Sequence, residues 1–375
     1  MSSLVWIELD REAPDHNVRQ LKACGGSDIL FCAVVKSNAY GHGAAQMVEL
    51  LHSCDWFAVN SLEEGLELRE LGVTKPVLLL GHVPLHRLEE AVRANLRLTV
   101  YNTETLTALS KLDSPEASRI HLKVETGTGR QGIRIEDMGE FIDIIEAAKG
   151  VVLEGLSTHF ANIEDTLNHE YSELQLSVFQ KALNILESRK LTPPVIHTAC
   201  TAATMLFPTT HFNMLRTGIG IYGLWPSRET FISVKMGGGP IPDLRPVLTW
   251  KTRIAQIKVL QEGSFVGYGC TYRTMRRTTM AVLPIGYADG YDRSLGNNGY
   301  VLVQGKRAPV IGRVCMNLTM IDITDIEGVA LEDEVTLLGR SGNETISAET
   351  MASWAGTINY EIVTRISPLL ERRIV

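Results

Sequence analysis

The sequence predicts an α/β protein: a closed (β/α)8 barrel of the TIM type, followed by a predominantly β domain. Three observations carry that expectation. Between about residues 30 and 225, eight short apolar or β-branched runs alternate with longer segments of helical periodicity, the pattern of βαβ units around a parallel sheet. Past residue 246, strand-like runs succeed one another with turn residues between them. Between the two lies VKMGGGPIPDLRP (234–246), whose consecutive glycines and three prolines break helix and strand alike and mark a linker. Residues 1–235 are read as the barrel domain and 236–375 as the β domain, since 375 residues exceed one average domain.

In chain order, VWIEL (5–9) is strand-like and is as free to pair with the second domain as with the barrel. The eight barrel candidates are FCAVVK (31–36), WFAV (56–59), VLLL (77–80), RLTV (97–100), RIHLKV (119–124), VLEGLS (152–157), VIHTA (195–199) and FNMLR (212–216). Helical spacing of apolar residues falls between them, at 42–53, 62–71, 103–111, 135–148 and 169–188. Eight units can close a barrel and leave no sheet edge; strand counting alone also admits a doubly wound open sheet. The second domain contributes VLTWKTRIAQIKVL, TMAVLPIGYADGY, YVLVQG, APVIGRVCMNLTMIDIT and EVTLLG as strand-like runs, and NYEIVTRIS as a closing helix with an extended tail.

A net charge of −7 with scattered Lys and Arg gives no footprint for a nucleic acid or an anionic membrane, so a small-molecule partner is expected. The six cysteines form no C-x-x-C pair, which argues against a zinc site or disulfide framework and for a reduced, cytoplasmic setting. No apolar run approaches a membrane span, and MSSLVWIELDREAPDHNVRQ has no secretory apolar region.

On a barrel, chemistry gathers at the C-terminal ends of the strands. There Lys36 ends the first candidate strand, Arg130 follows the fifth, His159 the sixth and Thr201 the seventh, and Arg216 ends the eighth. A lysine closing an apolar strand is costly unless paired or neutralised, and a desolvated lysine of lowered pKa is the type that forms Schiff bases. Taken alone, Lys36 reads as a snorkelling or salt-bridged residue sooner than as a catalytic one, His159 as a core or surface histidine and Arg216 as half of a structural ion pair.

The string AVVKSNAYGHG around Lys36 resembles the cofactor-attachment segment of the alanine racemase family, and further segments match that family in the same order over almost the whole chain. The resemblance implies an isomerase that uses pyridoxal 5'-phosphate, with Lys36 carrying the cofactor and Tyr40 on its phosphate. STHFAN (157–162) is similar to the segment whose histidine, His159, lies against the pyridine ring. LRTGIGIYGLWPS (215–227) resembles the segment whose arginine, Arg216, faces the pyridine nitrogen and whose Gly218 and Ile219 amides approach the phosphate. Arginine stays protonated, so it donates to the ring nitrogen without protonating it, which suits racemisation better than transamination.

VGYGCTY (266–272) resembles the segment of the catalytic tyrosine, here Tyr268, and GRVCMNLTMID (312–322) the loop whose Met316 amide binds the substrate carboxylate. By the same resemblance Tyr287 and Tyr360 line the substrate entrance, Tyr360 also reaching the phosphate. KVETGTGRQGI (123–133) is similar to the segment in which Lys123 is often carbamylated and supports Arg130 near the substrate carboxylate. The family implies a two-base mechanism on L- and D-alanine, Lys36 handling the proton of the D-enantiomer and Tyr268 that of the L-enantiomer. It also implies a homodimer with composite active sites. The chain departs from the family twice: Cys200-Thr201 stands where Asn-Ser is usual, threonine still offering a hydroxyl to a phosphate, and Asn317 stands where an aspartate is usual.

Two other classes compete. A barrel-type decarboxylase would place an acid at the pyridine nitrogen, where this chain has Arg216. A carrier of pyridoxal phosphate would resemble the barrel alone, without a β domain bearing Tyr268.

Overall fold

The computed structural model describes residues 4–26, 28–165 and 168–375. The chain divides into two compact units, one of Glu12–Ala39 with Met47–Arg245, the other of Met1–Arg11, Tyr40–Gln46 and Pro246–Val375.

After the opening strand β1 (Val5–Leu9), the first unit is built on β2 (Leu30–Val34), β3 (Trp56–Val59), β4 (Val77–Leu79), β5 (Leu96–Val100), β6 (Ser118–Lys123), β7 (Val151–Ser157), β8 (Val195–His197) and β9 (Met214–Thr217). All eight expected barrel strands are present. They form one parallel sheet in the order β8-β7-β6-β5-β4-β3-β2-β9. The two ends of that order meet: the Asn213 amide donates to the Ile196 carbonyl at 3.3 Å, the Arg216 amide to Ala199 at 3.0 Å, and the Ile196 amide to the Asn213 side chain at 2.7 Å. These bonds complete the ring and remove the open-sheet alternative. β3, β4 and β5 are buried at every residue, as expected of parallel strands with side chains packed on both faces.

Helix starts follow local chemistry. Ser61 accepts from the Glu64 amide while Glu64 reaches back to Ser61, a capping box opening the helix Leu62–Glu70; Asn102 and Ser227 cap Thr103–Ser110 and Arg228–Met236. Several strand ends differ from the expected ones by a residue or two, and at two of them the backbone gives the reason. β2 stops at Val34 rather than at Lys36, because Ser37 to Tyr40 all take positive φ, between 52° and 56°, and the chain leaves the sheet in a left-handed turn. β9 starts at Met214 because Phe212, also at positive φ (48°), interrupts the extended backbone before it.

In the second unit β1 lies between Leu248–Arg253, antiparallel, and Glu371–Ile374, parallel, within a seven-stranded sheet. A three-stranded sheet of Gln256–Leu260, Thr278–Leu283 and Thr319–Asp322 stands apart from it. NYEIVTRIS supplies the helix Asn359–Thr364. Among the described residues no helix is long and apolar enough to cross a membrane.

Candidate active site

In the barrel unit, Lys36, Lys123, Arg130, His159, Thr201 and Arg216 all follow or close strands at one end of the sheet, and their charges are mutually felt. Burial, then the charge of Arg130, lowers the pKa of the half-buried Lys36, with Glu64 opposing. The same two causes, burial first, bring Lys123 to about 8. His159 is pushed to about 3 by burial and then by Arg216, so its imidazole is neutral at any working pH.

Among the described residues, the carboxylates that act most on Lys36 and Lys123 are Glu64 and Glu125, and both are spent on backbone amides. Glu64 accepts from Ser37 at 2.5 Å, Asn60 at 2.7 Å and Ser61 at 3.1 Å, which fixes the chain just after Lys36. Glu125 accepts from Gly127 at 2.6 Å and Arg130 at 3.2 Å, which shapes the loop presenting Arg130. That loop needs Gly132, at φ 149°, where a Cβ would stand 2.3 Å from the Glu125 amide nitrogen. Lys123 donates to Gln131 at 3.2 Å, and Gln131 to the Tyr101 hydroxyl at 3.0 Å.

Arg216, 8% exposed, makes no ion pair among the described residues. Its Nη2 donates to the Thr158 carbonyl at 3.0 Å and to His159 Nδ1 at 3.5 Å, and its Nη1 to the His197 carbonyl at 3.0 Å and to His197 Nδ1. Nε has no partner among the described residues. Thr201 accepts from the Gly218 amide at 3.2 Å, joining it to the start of the short helix Ile219–Tyr222, whose first N–H groups have no partner within the helix. The fully buried Tyr222 anchors this segment by donating to the Val34 carbonyl at 3.0 Å.

The donor set fits an anionic aromatic cofactor. One guanidinium N–H is free for a ring nitrogen, a neutral imidazole stands beside it, a hydroxyl and helix-start amides suit a phosphate, and unpaired cations surround them. These are features of pyridoxal phosphate.

The second unit holds the remaining expected residues in two groups. Gly267 and Gly269, both at positive φ, flank Tyr268, and a Cβ on Gly269 would meet the Arg313 guanidinium at 2.9 Å. Tyr268 is 73% exposed and Met316 56%. The Tyr287 amide donates to Cys315 at 3.1 Å, tying the Tyr287 turn to the same loop that carries Met316, and the Met316 amide has no partner among the described residues. Tyr40 and Tyr360 form a second group, their ring centroids 6.2 Å apart.

Sequence reasoning passed over Glu64, Glu125 and the polar residues beneath Arg216, namely His197, His121, Glu154 and Arg97. The signal for the last set was present: Arg119, His121 and Lys123 alternate along a strand that is otherwise apolar.

Comparison with known proteins agrees with this arrangement. Residues 9–226 match the model of the alanine racemase N-terminal domain, and residues 247–374 that of the alanine racemase C-terminal domain. The chain is 38% identical over 374 residues to an alanine racemase of Leptospira interrogans, covering 99% of this chain and 95% of that one. It is 39% identical over 371 residues to an alanine racemase of Halothermothrix orenii, covering 98% and 96%. Its fold superposes with a TM-score of 0.91 on the crystal structure of alanine racemase from Bacillus anthracis with bound L-Ala-P, at 38% identity, covering 100% of this chain and 96% of that one. Matched in both domains and along nearly its whole length, the chain belongs to the alanine racemase family.

Proposed function

We propose that this protein interconverts L- and D-alanine with pyridoxal 5'-phosphate, using Lys36 and Tyr268 as acid/base groups on opposite faces of the α-carbon. The observation that supports it best is Lys36 itself: a half-buried lysine of lowered pKa in a cluster of cations whose neighbouring carboxylates are committed elsewhere. Lys36 would hold the cofactor until a substrate amine takes its place, and the cofactor would then withdraw electrons from the α-carbon and so acidify its proton, leaving the Lys36 amine free.

The protein's own groups do the rest. Arg216 Nε donates to the ring nitrogen and, being too basic to release its proton, leaves that nitrogen unprotonated. His159 stacks against the ring as a neutral group, and Tyr40, Thr201, Gly218, Ile219 and Tyr360 hold the phosphate. Arg130 and the Met316 amide bind the substrate carboxylate, with Lys123 supporting Arg130; Tyr287 and Tyr360 line the entrance. Lys36 Nζ takes or returns the proton on one face, Tyr268 Oη on the other. The exposure of Tyr268 and Met316 suits a homodimer in which each chain lends these residues to its partner's barrel.

Arg130→Met tests the charge logic. Losing its bond to the carboxylate, worth about 1.5–3 kcal/mol, raises KM for alanine roughly tenfold or more. Removing a cation that lowers the Lys36 pKa lets the amine, free once substrate is bound, titrate higher, so the acidic limb of kcat against pH moves to higher pH. An unmoved limb would remove Arg130 from the electrostatics of Lys36.

The reading as a whole is tested by α-proton exchange in deuterated water, followed by NMR with each enantiomer of alanine, serine and lysine. Exchange with loss of optical activity for alanine is expected. Cofactor binding without exchange would point to a carrier, and release of carbon dioxide to a decarboxylase.

A further inference from the structure

Beneath Arg216 the barrel interior contains a line of buried polar side chains that the chemistry above does not use. His197 Nε2 lies 2.8 Å from His121 Nδ1, and His121 Nε2 lies 3.4 Å from Glu154 Oε2. The same Glu154 oxygen accepts from Arg97 Nε at 3.2 Å, and its other oxygen is 3.6 Å from Arg119. His121 and His197 are at most 1% exposed, Glu154 and Arg97 at most 9%.

The hydrogens in this line have one consistent placement. A guanidinium only donates, so the Arg216 N–H on His197 Nδ1 requires a bare lone pair there. A neutral His197 then carries its hydrogen on Nε2 and donates to His121 Nδ1, which must also be bare. His121 in turn carries its hydrogen on Nε2 and donates to the Glu154 carboxylate, so every bond points away from Arg216 and the line ends on an anion. The opposite tautomer of His197 would set two N–H groups against each other. Neutrality is supported independently, since burial and then Arg216 hold His197 far below its usual pKa. Burial alone would raise Glu154, but the bond from His121 and the charge of Arg97 outweigh it and keep it ionised.

The backbone is shaped to admit this line. The pairing of β6 with β7 shifts register between Ile120 and His121, so that Ile120 faces Leu153 and His121 faces Gly155, with Glu154 as the extra residue. At Gly155 a Cβ would stand 2.2 Å from His121 Nδ1, in the volume the imidazole occupies. Trp56 and His121 meet in a T-shaped contact with ring centroids 5.5 Å apart, and the Arg97 guanidinium lies over the Trp56 ring at 5.6 Å.

We propose that Glu154 and His121 are positioning residues for racemisation: they lock His197 as its Nε2–H tautomer, and so hold the Arg216 guanidinium with Nε turned to the cofactor ring. The role rests on the proposed racemase reading, but the tautomers can be read without turnover.

The test is NMR of the holoenzyme carrying ¹⁵N-labelled histidine, assigned through His121→Phe and His197→Phe. In the wild type both rings should be protonated at Nε2 and bare at Nδ1. Glu154→Leu removes the acceptor from His121 Nε2, so the His121 proton should shift toward Nδ1 and that of His197 should follow. Its kcat should fall about tenfold, as for other partners that orient a functional side chain, while KM holds. Glu154→Asp, which restores the acceptor, should recover both the tautomer and much of kcat. Gly155→Ala keeps every polar residue but displaces the His121 ring, and should give the same loss. A wild-type ring protonated at Nδ1 overturns the proposal even if no variant folds. So does a Glu154→Leu enzyme whose tautomers or kcat stay as in the wild type. Wild-type protein that fails to racemise alanine would instead sink the racemase reading and leave the tautomer assignment standing.

Discussion

Lys36→Ala should abolish the yellow absorbance of the lysine-bound cofactor and lower racemisation by about 10⁴ or more, since it removes both the attachment point and one of the two proton-transfer groups. It should also make the cofactor-free protein more stable, which a lysine serving only the fold would not do. In the folded state the Lys36 amine is held below its ordinary value of 10.5 by burial and by Arg130. The folded chain therefore binds this proton less readily than the unfolded chain, and the resulting penalty is present in full below the folded pKa. It fades as pH rises toward 10.5. Thermal melts of wild type and variant should thus differ at neutral pH, with the variant higher, and converge in alkali. A variant that melts lower at pH 7 would show that Lys36 earns its place by packing.

Tyr268→Phe should leave the yellow colour and the melting temperature unchanged and stop racemisation, with a loss of about 10²–10⁴. Its hydroxyl sits on a side chain that is 73% exposed, and exposed substitutions seldom change stability by more than about 0.5 kcal/mol. The loss should be one-sided. With Lys36 assigned by family resemblance to the proton of D-alanine, that proton should still exchange with deuterated water without inversion, while L-alanine should not exchange. Mixing this variant with Lys36→Ala separates a composite site from one made within a single chain. If each site takes Lys36 from one protomer and Tyr268 from the other, a mixed dimer has one intact site, and a random mixture recovers about a quarter of wild-type activity. A site closed within one chain recovers none.

How much of this could be read from the amino acids depended on the range of the forces involved. The eight barrel strands were legible because buried parallel strands are continuous apolar runs, and WFAV or VIHTA between helical segments has few other uses. Lys36, His159 and Arg216 stood out as polar residues closing such runs. The left-handed turn after Lys36 was not legible: Ser37, Asn38 and Ala39 do not demand positive φ, and surrounding structure imposes it. Nor was the line from Arg216 to Glu154, because the side to which Glu154 projects depends on a register shift between β6 and β7 that no local pattern announces. The assignment of Tyr40–Gln46 to the second unit likewise reflects packing rather than composition.

The placement of β1 sets an order of events in the life of the chain. Both of its sheet neighbours, Leu248–Arg253 and Glu371–Ile374, are translated after the whole barrel has been made. A nascent chain therefore carries β1 with both edges bare while the barrel condenses behind it. Its side chains are far from inert on either face, since Trp6, Ile7 and Leu9 are all buried once the sheet is complete. The barrel can form as each unit leaves the ribosome, but the sheet holding β1 must wait. Until then, β1 is open to a chaperone or to the wrong neighbour.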